Sequence, residues 1–118
     1  MIIEDEQDIR EMIDLYLQKE GFETSTAKNG ADFLKQVDVF KPDLVTLDIM
    51  MPGLTTREIF AKLKNKGANP KIILLTAIRY SKEEEKKIFE MGNVVDYITK
   101  PFELDELSDA VHKQIICK

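Results

Sequence analysis

Apolar and polar positions along the chain switch repeatedly between a strand-like and a helix-like period. Met1 to Ile3 is a short apolar run that ends in Glu4-Asp5-Glu6. From Asp8 the spacing is helical, with Ile9, Met12, Ile13, Tyr16 and Leu17 on one face and Gly21 placed as the stop. Phe22 to Thr26 is rich in β-branched and aromatic residues and predicts a strand. After the Asn29-Gly30 turn signal, Phe33, Leu34 and Val37 mark the inward face of a second helix, which ends before Pro42. Leu44 to Leu47 predicts a buried strand closed by Asp48. Met51-Pro52-Gly53 predicts a loop, and Thr55 or Thr56 predicts the cap of a helix carrying Ile59, Phe60 and Leu63. Past the break at Gly67 to Pro70, Ile72 to Leu75 is the most strand-like run and leads into Thr76-Ala77. Ser81 and Glu84 have the spacing of a capping box for a helix that Gly92 ends. Tyr97 to Thr99 predicts a short strand, Lys100-Pro101 a break, and Glu103 to Ile116 the last helix.

Strands interleaved one for one with helices define an α/β fold. Nearly continuous apolar strands need cover on both faces, which predicts a parallel sheet with helices on either side. The 118 residues suit one domain, 1–118, with no output domain in this chain. Composition adds exclusions. No apolar run approaches a membrane span, and no signal peptide is visible. Cys117 is the only cysteine, which rules out an internal disulfide and fits a cytoplasmic location. A net charge of -5 disfavours a nucleic-acid surface and suits cation or protein binding.

In a parallel sheet, ligands bind beyond the carboxyl ends of the strands. The first predicted strand runs into Glu4 and Asp5, the third into Asp48, the fourth into Thr76 and the fifth into Lys100. Carboxylates brought together repel one another, and a hard divalent cation such as Mg²⁺ relieves this. A hydroxyl and an ammonium beside such a metal make a receptacle for a phosphoryl group, and an aspartate can itself accept one as an acyl phosphate. Each residue also has an ordinary role. Asp48 fits a turn after its strand, Glu4-Asp5-Glu6 a solvated helix entry, Thr76 a strand-end hydroxyl, and Lys100 a surface lysine. Four strand ends supplying one site by coincidence is the less economical account.

These segments together resemble a two-component response-regulator receiver domain over essentially the whole chain. The likeness is carried by Ile2-Ile3-Glu4-Asp5-Glu6, Pro42-Asp43-Leu44 through Leu47-Asp48, Met51-Pro52-Gly53, Leu74-Leu75-Thr76-Ala77, and Asp96 through Phe102. The resemblance implies a flavodoxin-like, five-stranded parallel sheet of order 2-1-3-4-5 with five helices on both faces. It implies Asp48 as phosphoacceptor, and Mg²⁺ (or Mn²⁺) held by Glu4, Asp5, Asp48 and the main-chain carbonyl of Met50. Thr76, Ala77 and Lys100 would surround the phosphoryl group, and Tyr97 would move inward with Thr76. The Lys100-Pro101 bond would be cis. The implied partners are a sensor histidine kinase or phosphotransfer protein and an unidentified downstream target, with no direct nucleic acid or membrane contact. The chain would be no enzyme beyond catalysing its own phosphorylation and dephosphorylation.

Several positions depart from the family's usual pattern. Glu4 stands where many members have Asp, the first strand is short, and Gly92 to Tyr97 is one residue longer than usual. Met50 and Ile78 are apolar at positions that tune dephosphorylation, which predicts a long-lived phosphorylated state. The exposed face around Lys86, Lys87, Asp96 and Tyr97 would change on phosphorylation, while His112 reads as a surface residue. Two other readings compete. One is a degenerate receiver that only binds proteins. The other is an aspartate-dependent phosphohydrolase, which usually carries a second Asp where this chain has Met50.

Overall fold

The computed structural model describes residues 1–48, 56–67, 70–76, 81–91, 93–100 and 102–115. Strands and helices alternate through the chain: β1 (Ile2–Ile3), α1 (Gln7–Lys19), β2 (Thr26–Ala27), α2 (Gly30–Phe40), β3 (Leu44–Asp48), α3 (Thr56–Lys66), β4 (Lys71–Thr76), α4 (Lys82–Met91), β5 (Val94–Thr99) and α5 (Leu104–Ile115). The strands form a parallel sheet in the order β2-β1-β3-β4-β5, as the resemblance implied. Thr55, Gly92 and Cys117 lie outside the described residues.

Alternation along the strands sends side chains to two cores. Ile3, Val45, Leu47, Ile72 and Leu74 meet Phe33, Leu34 and Val37 of α2 and Ile59, Phe60 and Leu63 of α3. Ile2, Leu44, Ile73 and Leu75 meet Ile13 and Leu17 of α1 and Leu107, Ala110 and Val111 of α5. Most apolar helix positions picked out by period therefore cover the sheet, but Met12, placed on the same face of α1 by spacing, is exposed. Local chemistry sets the helix starts. Asn29 accepts from the Asp32 amide at 2.8 Å, and Ser81 and Glu84 exchange bonds of 3.2 and 3.1 Å in the expected capping box.

Two strands differ from their predicted spans by more than one residue at an end. Phe22 to Thr26 yields only Thr26–Ala27, because the end of α1 claims Phe22. The Phe22 amide donates to Leu17 O at 3.1 Å and the Gly21 amide to Gln18 O at 3.0 Å, with Gly21 at φ +94°. This is a Schellman closure, and the Phe22 ring packs with Leu17 in the same core. β5 is longer than Tyr97–Thr99, and the extra residue lies within it. Ile72 pairs with Val94 but Ile73 pairs with Asp96, so Val95 is passed over in a β-bulge. Val94 and Tyr97 pack on one core, Val95 and Ile98 on the other. Positions three apart share a face only because of the bulge. Beyond it the register is regular, and Thr99 pairs with Thr76.

β1 is as short as its sequence suggests, yet it lies in the sheet interior. It pairs with both β2 and β3. The Glu4 amide donates to Ala27 O at 3.1 Å, and the Thr46 amide to Met1 O at 2.9 Å.

Candidate functional site

The carboxyl ends of the strands bring the predicted polar residues to one edge of the sheet. Glu4 follows β1 and Asp48 closes β3, and both are buried, at 1% and 3% exposure. Asp5, one residue on, is exposed. Oxygen atoms from Glu4, Asp5 and Asp48 all lie within 4.8 Å of one another, a spacing that fits a single cation. Asp48 pairs with Leu75 across β3 and β4, which sets the fully buried Thr76 one residue beyond it. The Lys100 amide donates to Thr76 O at 2.6 Å and anchors the lysine just past the end of β5.

Lys100 reaches back across the sheet edge. Its Nζ lies 3.0 Å from Glu4 Oε1 and 3.2 Å from Asp48 Oδ2. One ammonium therefore balances two buried carboxyl groups. The balance is incomplete. Burial first, then the neighbouring Asp48, push the Glu4 carboxyl up from 4.5 to about 7 against the pull of Lys100. Burial disfavours the charged lysine, but its contacts with Glu4 and Asp48 outweigh this and raise its pKa. The arrangement is an acidic pocket able to take more positive charge. Its hard oxygen donors suit a small divalent ion, and its ammonium suits an anion beside that ion.

The geometry and the comparisons agree. The family model of the response regulator receiver domain matches residues 1–112. The chain belongs to this family. Among curated relatives, the receiver is 35% identical to Sporulation initiation phosphotransferase F of Bacillus subtilis, over 100% of this chain and 94% of that protein. It is 34% identical to the alkaline phosphatase synthesis transcriptional regulatory protein PhoP of the same organism, over 94% of this chain but only 45% of that one. Among solved structures, a Francisella response regulator receiver domain superposes with a TM-score of 0.84 at 28% identity, over 96% of this chain and 92% of that one. The Vibrio cholerae chemotaxis protein CheY4 gives a TM-score of 0.84 at 25% identity, over 97% and 95%.

Of the residues singled out in the receiver's sequence, Lys100 contacts Glu4 and Asp48 directly, and Asp5 lies within cation-sharing distance of the two carboxyl groups. Met50, Ala77, Ile78 and Pro101 lie outside the described residues. Tyr97 is half-buried on the α2–α3 side of the sheet. Its hydroxyl donates to Glu85 of α4, and its ring lies tilted against Phe89 at 6.3 Å. His112 stands 3.8 Å from Glu20 and 5.1 Å from the Phe22 ring. Two site neighbours escaped the sequence reading. Arg10 donates to the main chain of Glu4 and Asp5, and Glu85 holds Tyr97. Arg10 left one signal, a cation five residues past the acidic pair. Glu85 left none, being one of three consecutive glutamates.

Proposed function

We propose that this receiver accepts a phosphoryl group on Asp48 from a histidine kinase or phosphotransfer protein and signals through the α4–β5 surface. The observation that carries this reading is the contact of Lys100 with both Glu4 and Asp48 inside the three-carboxylate pocket. An Asp48 carboxylate oxygen attacks phosphorus, the phosphorus–nitrogen bond of the donor phosphohistidine breaks, and the imidazole leaves with the electron pair. Glu4, Asp5, Asp48 and the Met50 carbonyl would hold Mg²⁺, which offsets the charge developing on the phosphoryl oxygens. Lys100 gives up a carboxylate contact to pair with one phosphoryl oxygen, while the Thr76 hydroxyl and the Ala77 amide donate to others. The Lys100-Pro101 bond would be cis, as the family resemblance implies.

Contacts made only with the phosphoryl group shift the balance between two arrangements of the α4–β5–α5 surface. Tyr97 is suited to report that shift, because it links β5 to Glu85 of α4. The partner sets follow: a kinase or phosphotransfer protein upstream, and a protein target or attached output domain downstream, all in the cytoplasm. Among the described residues no helix is long and apolar enough to cross a membrane. The chain's own chemistry is limited to gaining and losing the phosphoryl group, and Met50 and Ile78 slow the loss.

Incubation with a small-molecule phosphodonor and Mg²⁺, followed by intact-mass measurement, tests the reading. One phosphoryl group should be gained, and the gain should vanish in Asp48→Asn and in chelator. No gain, or a gain that survives Asp48→Asn, overturns it.

A further inference from the structure

The acidic pair Glu4 and Asp5 sits in the turn between β1 and α1, and that turn lacks the usual fastening. Glu6 occupies the N-cap position of α1 but makes no side-chain capping bond. The Glu4 carboxylate reaches the Glu6 amide only weakly, at 3.4 Å, while its other oxygen is committed to Lys100. The turn is instead held from inside the helix. Arg10 is half-buried, and its guanidinium donates to Glu4 O at 2.9 Å and reaches Asp5 O at 3.5 Å. Both contacts come from Nη1, whose protons are fixed in the guanidinium plane, unlike those of a freely rotating ammonium.

We propose that Arg10 is a positioning residue for the cation site: it clamps the Glu4 and Asp5 carbonyls and thereby aims their carboxylates at the point where Asp48 completes the set. The inference rests on the proposed metal-binding role of that set. Asp5 depends on the clamp most. It is exposed, so little packing orients it, and the bond to Glu4 O fixes the peptide plane that joins Glu4 to Asp5. Groups that orient metal ligands from outside commonly matter for affinity almost as much as the ligands. A simple charge role has the opposite sign. A guanidinium near a cation site repels the incoming ion, so removing it would tighten binding.

Mg²⁺ titration by calorimetry on the whole chain separates these accounts. Wild type is compared with Arg10→Lys, which keeps the charge but loses the fixed planar donor, and with Arg10→Ala, which loses both. Ser81→Ala, which removes the α4 cap, serves as a destabilised control outside the metal-ligand set. Positioning predicts Mg²⁺ binding weakened about tenfold in both Arg10 variants and unchanged in Ser81→Ala. If Arg10→Ala does not fold, Arg10→Lys alone decides. Affinity in Arg10→Lys within about twofold of wild type, tighter binding in Arg10→Ala, or an equal loss in Ser81→Ala overturns the inference. If wild type itself binds no Mg²⁺, or Asp48→Asn binds it equally well, the metal-site reading fails and the Arg10 inference falls with it. That outcome is distinct from normal wild-type binding with indifferent Arg10 variants.

Discussion

Lys100 and Glu4, 96 residues apart, meet at 3.0 Å between the ends of β5 and β1. The same ammonium touches Asp48, so one cation offsets part of the pocket's negative charge. Lys100→Met should lower the stability of the chelator-treated protein at pH 8 by about 2 kcal/mol, less than a fully buried pair would cost because the ammonium reaches solvent. Mg²⁺ should recover most of that loss, and should stabilise the variant more than wild type. Urea unfolding in chelator and in Mg²⁺ measures both quantities. A variant as stable as wild type in chelator would show that the contact carries no charge balance.

Glu4 supplies a pH dependence with a defined sign. Its folded-state pKa of about 7 lies above the ordinary 4.5, so between these values the folded protein holds a proton that the unfolded chain releases. Its contribution to stability therefore falls as pH rises from 4.5 to 7 and is flat beyond. Glu4→Gln should remove this slope and raise the melting temperature of the metal-free protein at pH 8, while weakening Mg²⁺ binding. Melting curves of the two proteins in chelator across that window test it. Parallel curves would count against the assignment.

The bulge at Val95 makes a prediction in pairs. Deleting Asp96 leaves Val94, Val95, Tyr97 and Ile98 in simple alternation, each on the face it already occupies. That variant should fold within about 1 kcal/mol of wild type. Deleting Val95 instead places Asp96 where Val95 packs against the α1–α5 core, and should cost about 2 kcal/mol or more. Thermal unfolding ranks the two. Equal costs would mean that the bulge does not set the phase of β5.

The rate of phosphoryl loss tests the sequence reading of Met50 and Ile78. As proposed, each bulky apolar side chain, two residues past Asp48 and Thr76 respectively, would keep water from being oriented at the acyl phosphate. Met50→Asn and Ile78→Glu should each speed decay of the phosphorylated protein several-fold, measured by mass after the phosphodonor is removed. Unchanged decay in both would remove these residues from the timing of the signal.

Much of this architecture was legible because its determinants are local or periodic. Phe33, Leu34, Val37, Ile59 and Phe60 announce buried helix faces by spacing, and Ser81 with Glu84 announces a cap within four residues. The identities at Glu4, Asp5, Asp48, Thr76 and Lys100 were legible for another reason, since a parallel sheet gathers strand ends at one edge. Phe22 misled because a strand-forming residue was captured by a helix-terminating motif, a competition that propensity does not resolve. Val95 was detectable as one residue too many, but its placement depends on which core Val94 and Tyr97 share. The pairing of Lys100 with Glu4 and the grip of Arg10 on two carbonyls depend on three-dimensional approach, and no spacing rule encodes them.

The two-residue β1 joins the acidic pocket to the rim of the sheet. Glu4 hangs from Ala27 by its amide, and Ala27 belongs to the edge strand β2. Partial openings that peel β2 from β1 would therefore release a carboxylate of the pocket, and any ion gripping that carboxylate opposes the peeling. The pocket and the sheet margin are thermodynamically linked. The amides of Ile2 and Glu4, which donate into the β2 segment, should exchange with deuterium more slowly when the pocket is loaded, far more so than those of α5.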